Sequence, residues 1–144
     1  MTRKTGKTTS LAFSVLSGLI VAGSAVAEET KHLPADQLNW SNVGLPGIDY
    51  ALLWGSLNDG ASGRLVRIEA GLSVPIHNHT LGYHGVTIQG IWRRNSSEAG
   101  KADLPPGSYV HQAGGDPHSD QCVGPEDCIL FVNHLGPWDY VPAN

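Results

Sequence analysis

Basic residues are scarce in this chain, which has nine Lys and Arg residues against thirteen Asp and Glu residues. Three of the nine, Arg3, Lys4 and Lys7, precede residue 28, so the remainder has six basic residues, thirteen acidic ones and a charge of about −7. Proteins that bind nucleic acid present a basic face to the phosphates, and electrostatic membrane anchors need a basic patch. The charge balance therefore argues against both classes.

The chain also lacks long helical periodicity, a glycine-rich phosphate loop and the G-x-S-x-G turn of serine hydrolases. From residue 50 onward it consists of short apolar runs separated by Gly, Pro, Asn and Asp, a pattern typical of an all-β sandwich or barrel. Residues 28–45 and 95–102 are polar and are predicted to be irregular. The predicted strands are residues 50–54, 64–69, 72–79, 85–92, 108–112, 119–123 and 129–134.

The N-terminus has the pattern of a secretory signal peptide. Basic residues are followed by an apolar run over 11–21 and by the small residues Ala25-Val26-Ala27. The run is shorter than the ~20 residues that a membrane-spanning helix needs. We therefore predict a signal peptide over 1–27, cleavage after Ala27, and one domain over 28–144 that is periplasmic or secreted and has no membrane contact once the signal is removed.

The two cysteines, Cys122 and Cys128, enclose the turn-forming sequence Val-Gly-Pro-Glu-Asp. Antiparallel strands leaving such a turn would bring the sulfurs together, and an oxidising compartment favours a disulfide. A metal-binding or redox pair is the alternative, although the spacing is wider than that of a C-x-x-C motif.

Four histidines are candidate metal ligands. His77 and His79 are two residues apart, so in a strand they share one face, and the absence of charge on that face indicates that it points inward. A tight turn over 80–83 would return His84 beside His79, and His118 would arrive from a later segment. Since neutral imidazole binds divalent transition metals well, the sequence predicts one such ion at these four residues.

Other polar residues are candidates for roles around that ion. His111 is interpreted either as a proton shuttle in the cavity or as a surface residue, and Tyr109 is the second catalytic candidate. Asp120, two residues beyond His118, could orient that ring by accepting a hydrogen bond. Arg94 is interpreted either as a contact for an anionic substrate or, because it lies near a polar loop, as a solvated residue, which we favour. His134 is assigned no role.

Two spaced motifs stand out along the chain: one is carried by Gly71, His77-x-His79, position 84 and Gly90, and the other by Gly107, Ala113-x-Gly115 and His118. These two motifs resemble the paired motifs of the cupin superfamily. The resemblance implies a small jelly-roll-like β-barrel with a metal ion at its wider end. The resemblance covers roughly residues 65–134, and within the superfamily the chain is most similar to small secreted cupins with one domain.

The chain departs from the cupin motifs at three points. The family usually has Glu where this chain has His84, the interval from position 84 to Gly90 is one residue short, and Ala113 replaces a proline. The resemblance then implies a ligand set without negative charge, which makes the ion a stronger Lewis acid and disfavours oxidised states. Alternatively, His84 faces the substrate above a site of three histidines.

The resemblance implies a metal-dependent enzyme that acts on a small organic molecule through one divalent ion of Mn, Fe, Ni, Cu or Zn. Dioxygenase-like chemistry and non-redox isomerase or lyase chemistry both remain open. A non-catalytic metal-binding, ligand-binding or sensor domain is the alternative, because a fold alone does not fix function. Cupins commonly dimerise, and the aromatic segment 138–140 is a candidate for a homodimer contact.

Overall fold

The computed structural model describes residues 29–143, so the predicted signal peptide over 1–27 lies outside the described residues. The described part begins with one turn of 3-10 helix and is otherwise built from strands and loops. None of its helices has the length and apolar character that a membrane crossing requires. The strands are β1 (Trp40–Asn42), β2 (Ile48–Gly55), β3 (Ser62–Ile68), β4 (Ser73–Asn78), β5 (Tyr83–Gln89), β6 (Ile91–Ser96), β7 (Gly100–Leu104), β8 (Tyr109–Gln112), β9 (His118–Val123), β10 (Cys128–His134) and β11 (Val141–Pro142).

The strands form two antiparallel sheets that enclose one core, so the predicted jelly-roll-like barrel is confirmed. The first sheet has the order β1-β2-β3-β10-β5-β8, and the second has the order β11-β4-β9-β6-β7. Buried residues alternate with less buried ones most clearly in β5, β9 and β10, as the pleat requires. The buried core consists of Ile68, Tyr83, Trp92, Cys122, Cys128, Leu130 and Val132.

Gly90 divides what the sequence predicts as one strand over 85–92. Its φ of 75° lies in the left-handed region, which glycine adopts without strain, and the chain there passes from β5 in the first sheet to β6 in the second. A Cβ at Gly90 would lie 2.9 Å from the Sγ of Cys128, so the close approach also requires glycine. The segments predicted to be irregular contain β1 and parts of β6 and β7.

The predicted disulfide between Cys122 and Cys128 is present, with the two Cα atoms 5.6 Å apart. It does not close a hairpin ladder, because β9 belongs to the second sheet and β10 to the first. The bond therefore ties the two sheets together across the core, and both sulfurs are engaged in it.

A bulge in β4 sets the direction of the histidines. In the pairing with β9, Val74 lies opposite Asp120 and His77 lies opposite His118, so β4 contains one extra residue between these two pairs. Val74 and His77 are both buried, whereas Ile76 is exposed. Strict alternation from the sequence would have placed His77 on the face of Ser73 and Pro75. The bulge instead places it on the inward face of Val74.

Candidate metal centre

Three buried histidines converge at one end of the barrel. His77 lies near the end of β4, His79 directly follows that strand, and His118 begins the neighbouring strand β9. The ring centroids of His77 and His118 are 4.3 Å apart, and the His79 centroid lies 5.0 Å and 5.3 Å from theirs. One ligand nitrogen from each ring lies within 4.8 Å of the others, a spacing at which all three could hold one metal ion.

Backbone carbonyls fix the tautomer of all three rings. Nδ1 of His77 bonds to the carbonyl of Pro75 at 2.8 Å, Nδ1 of His118 to that of Asp116 at 3.0 Å, and Nδ1 of His79 to that of Asp139. A carbonyl only accepts, so each Nδ1 carries the proton and each Nε2 keeps a free lone pair. The Nε2 of His118 is buried without a partner. Three oriented lone pairs of this kind fit a divalent metal ion.

The protonation of these rings also suits metal binding. Burial lowers the pKa of His79 to about 4. Burial, followed by the nearby charge of Arg94, lowers the pKa of His118 to about 4. At neutral pH both imidazoles are therefore uncharged, and no proton has to leave before a metal ion binds.

Asp120 brings a carboxylate to the same point. Its Oδ2 atom lies 3.9 Å from the Nε2 of His77 and 3.9 Å from the Nε2 of His118. Its other oxygen accepts the indole N–H of Trp92 at 2.8 Å, which fixes the carboxylate plane. The sequence predicts that Asp120 orients His118, but Nδ1 of His118 bonds to a backbone carbonyl instead. The carboxylate faces the metal-binding side of the rings.

Arg94 is buried behind this carboxylate and not solvated as the sequence suggests. Its guanidinium lies 3.4 Å from Oδ1 of Asp120, donates to Oε1 of Gln112 at 2.5 Å and donates to the hydroxyl of Tyr83. Burial raises the pKa of Tyr83 to about 12, so its phenol stays protonated at neutral pH. Arg94 thereby stabilises the charge of Asp120 within the core.

The C-terminal segment closes the centre. The carbonyl of Asp139 accepts the His79 proton, its carboxylate accepts the backbone N–H of Thr80 at 2.9 Å, and the ring of Tyr140 stacks on His77 at 4.5 Å. Residues 138–140 are half-buried in the chain itself. The segment suggested as a dimer contact thus packs on the histidines, and a homodimer stays a prediction.

A cavity of about 80 Å³ lies beside the histidines. Its polar lining includes His77, His79 and Asp120 together with two residues to which the sequence analysis gave no role, Arg64 and His134. Both are buried, and Nη2 of Arg64 lies 2.8 Å from Nε2 of His134. Burial, followed by the charge of Arg64, lowers the pKa of His134 to about 3. Alternation with the buried Leu130 and Val132 was the sequence signal that could have placed His134 inside.

His84 does not join the other three histidines, contrary to the expectation from the sequence. It lies on β5, in the other sheet from β4, and it alternates with the inward-facing Tyr83. Its Nδ1 bonds to the Tyr109 hydroxyl at 2.7 Å on the outer face. If three residues instead of four separate His79 from the next motif position, that position is Tyr83. The interval from this position to Gly90 then has the length that is usual in the motif.

The two catalytic candidates also lie on the outer face. Tyr109 is 60% exposed, and His111 is exposed and stacks on His84 at 4.9 Å. Val110 and Gln112, the alternate residues of β8, face the barrel instead. Neither Tyr109 nor His111 lines the cavity beside the three histidines.

Comparison with known sequences gives a family match and one partial relative. Residues 28–137 match the family of the ChrR cupin-like domain. A DNA damage-repair/toleration protein, DRT102, of Arabidopsis thaliana is 37% identical over 78 residues, which are 52% of this chain. The match spans 24% of the length of the Arabidopsis protein, so the two chains share one region.

Solved structures show the same fold. The polyketide cyclase RemF from Streptomyces resistomycificus matches with a TM-score of 0.68 and 14% identity, over 81% of this chain and 87% of that chain. The Rhodobacter sphaeroides complex of SigE with the anti-sigma ChrR contains a chain that matches with a TM-score of 0.57 and 23% identity, over 70% of this chain and 50% of that chain. A polyketide cyclase and a chain of an anti-sigma complex thus have the same barrel fold as this chain. The chain belongs to the ChrR cupin-like domain family of the cupin superfamily.

Proposed function

We propose that this protein binds one divalent transition metal ion through the Nε2 atoms of His77, His79 and His118 and acts as a metal-dependent enzyme on a small organic molecule. The observation that carries the proposal is the set of three Nδ1–H groups tied to backbone carbonyls, which leaves three lone pairs facing one point. A bound dication would supply Lewis acidity to an oxygen of the substrate, with either a redox or a non-redox outcome.

The protein's own residues supply the other parts of such a site. Within residues 29–143, Asp120 is the only carboxylate along the cavity lining, and its Oδ2 is close enough to the histidines either to complete the ligand set or to accept a proton from the bound molecule. Trp92 and Arg94 hold the carboxylate in place. The apolar part of the lining, which includes Val74 and Leu130, would exclude water from a small substrate.

A metal-dependent sensor or binding domain is the second candidate. It is favoured by the family match and by the similarity to ChrR, which is described as an anti-sigma protein in complex with SigE. The same metal site would then report the presence of an ion or ligand. Turnover of a small molecule by the metal-loaded protein would favour the enzyme. Binding without turnover would favour the sensor.

The metal site is tested by elemental mass spectrometry on protein purified without an affinity tag. We expect about one equivalent of Mn, Fe, Ni, Cu or Zn, lost in His77→Ala/His79→Ala. The matched control is His84→Ala/His111→Ala, which also removes two imidazoles but from the outer face, and which should keep the metal. Equal loss in both double variants, or no metal after reconstitution with each ion, would contradict the proposal.

We also propose that the protein is exported, with residues 1–27 as a cleaved signal peptide. The basic start, the short apolar run and the Ala25-Val26-Ala27 end support this, and a disulfide suits an oxidising compartment. N-terminal sequencing of the protein from the periplasm of a bacterial host should give Glu28 as the first residue. An uncleaved cytoplasmic product would reject export.

A further inference from the structure

Arg64 differs from the other arginines in the described part of the chain. Arg67, Arg93 and Arg94 each pair with an aspartate, at 2.6, 2.5 and 3.4 Å. Arg64 forms no ion pair with any carboxylate of residues 29–143, although it is only 3% exposed. A buried charge without a counter-charge is strongly destabilising, so this guanidinium calls for a partner of opposite charge.

The neighbours of Arg64 offer no compensating charge. Its Nη2 donates to Nε2 of His134, and its guanidinium lies 5.0 Å from the ring centre of Trp138. Burial lowers the pKa of Arg64 to about 10, so the group is still cationic at neutral pH. The hydrogen bond and the aromatic contact orient the guanidinium, but they leave its positive charge unbalanced.

Three buried donors remain without acceptors at this place. Among residues 29–143, Nε and Nη1 of Arg64 have no hydrogen-bond partner, and neither has Nδ1 of His134. Because a guanidinium only donates, Nε2 of His134 must accept from it, so the proton of this ring is on the unpartnered Nδ1. The unpartnered N–H groups of Arg64 and His134, together with the single positive charge of Arg64, therefore suit a ligand that has oxygen acceptors and one negative charge.

These donors belong to residues that lie close to the candidate metal centre. Arg64 and His134 line the same cavity as His77 and His79, and the His134 and His79 ring centres are 5.6 Å apart. The cavity of about 80 Å³ has space for roughly five to eight water-sized groups, since each needs about 10–15 Å³. That size suits a ligand of a few carbon atoms and excludes a nucleotide or a sugar chain.

We propose that Arg64 and His134 form a carboxylate-binding subsite, and that the ligand of this protein is a small monocarboxylic acid whose carboxylate lies on Arg64 while its other end reaches the three histidines. The inference rests on the proposed function for the role of the histidines. The carboxylate subsite itself depends only on Arg64, His134 and the cavity. A phosphate dianion fits less well, because the subsite offers one positive charge.

Calorimetric titration of the metal-free protein tests the subsite with four probes: acetate, pyruvate and their neutral analogues acetamide and pyruvamide. We expect both carboxylates to bind about 10- to 100-fold more tightly than their amides, as charge-assisted hydrogen bonds imply. Arg64→Gln should reduce carboxylate binding to the level of the amides. Arg64→Lys keeps the charge but not the planar group, so its affinity for carboxylates should lie between those of the unmodified protein and Arg64→Gln. It also provides a folded variant if Arg64→Gln does not fold.

The matched control is Arg67→Gln, on the same strand but on the outer face and paired with Asp49, and it should bind as the unmodified protein does. Equal binding of acids and amides, unchanged binding in Arg64→Gln, or chloride binding as tight as acetate binding would overturn the subsite.

The double variant His77→Ala/His79→Ala separates the subsite from the proposed function. If the unmodified protein holds no metal, and if both it and the double variant bind carboxylates through Arg64, the proposed function fails and the subsite stands. If the unmodified protein holds a metal that the double variant loses, but neither binds carboxylates, the metal site stands and the subsite is rejected.

Discussion

At the scale of single residues, the ability of the site to bind a metal ion depends on which ring nitrogen of each histidine has no hydrogen-bond partner. The three histidines differ from ordinary buried histidines because backbone carbonyls take every Nδ1 proton, which leaves the Nε2 atoms for a ligand. Asp120 adds a carboxylate oxygen that the sequence motif does not contain at the usual position. The negative charge that the motif carries after His79 is therefore supplied here from β9.

Asp120→Asn should weaken metal binding about 10- to 100-fold, the range typical of groups that support metal ligands. The amide keeps the shape of the side chain and its acceptor for the Trp92 indole, but it removes the negative charge beside His77 and His118. Competition with a chelator of known affinity measures the effect. Asp103→Asn, at an exposed pair with Arg93, is the control and should change nothing. Equal affinities in both variants would show that Asp120 does not contribute.

At the scale of strands and segments, the C-terminal segment acts as the cover of the site. β11 pairs with the end of β4, opposite His77 and Asn78, and the residues before it hold His79 and stack on His77. The position of His77 and His79 thus depends on a segment about sixty residues later in the chain. Removal of that segment should disturb the ligands more than the barrel.

Truncation after Trp138 should lower metal affinity more than tenfold and leave the β-sheet signal in far-ultraviolet circular dichroism, because the sheets keep their other strands. Asp139→Ala gives the comparison. It removes the bonds to Thr80 but keeps the carbonyl that accepts the His79 proton, so its effect on affinity should be much smaller. If Asp139→Ala weakened binding as much as the truncation, the carbonyl would not be the decisive contact.

The disulfide acts at the same scale, as a tie between the two sheets. Cys122→Ala/Cys128→Ala should destabilise the protein by about 2 kcal/mol, since the loop it closes is short. For a domain of this size that corresponds to a fall in Tm of roughly 10 °C, measured by calorimetry. The metal content should not change, because Cys122 lies four residues from His118 along β9. Loss of metal in this variant would show that the metal site depends on the disulfide.

At the scale of the whole molecule, the interior of the barrel contains many polar groups. Buried histidines, two arginines and two aspartates lie beside the apolar core, and burial keeps three of the histidines uncharged. This arrangement makes the stability of the metal-free protein depend on pH. Acidic surface charge, by contrast, sets solubility and the choice of partners.

The metal-free protein should lose stability as the pH falls from about 6.5 towards 4. The pKa values of His79 and His118 are lowered to about 4 and that of His134 to about 3, so the unfolded chain takes up protons in this range that the folded chain does not. Each such group contributes a slope of up to about 1.4 kcal/mol per pH unit. Calorimetric Tm values at pH 7.5, 6, 5 and 4.5 measure the decline. His84→Ala/His111→Ala should decline in parallel, and a flat profile would contradict the neutral buried rings.

Much of the fold and part of the site follow from the sequence. The short apolar runs predict an all-β barrel, and the paired motifs locate His77, His79 and His118. The two cysteines predict their disulfide. These features depend on spacing along the chain, which strand geometry and turn residues convert directly into local structure.

The remaining features depend on contacts between distant parts of the chain, which no spacing reveals. Because the chain turns at Gly90, β5 and β6 belong to different sheets, so the burial of Trp92 on β6 does not imply that His84 on β5 is buried as well. Tyr83 is the inward-facing residue of that pair. Arg64 and His134 are seventy residues apart and meet only because β3 pairs with β10. The sequence by itself determined the all-β barrel, through its short apolar runs, and located the three histidines, through the spacing of the paired motifs. Only the tertiary structure showed that Asp120 faces the histidines, that residues 138–140 cover them and that Arg64 has no carboxylate partner. These features depend on burial and charge pairing, which are set by the strands that become neighbours.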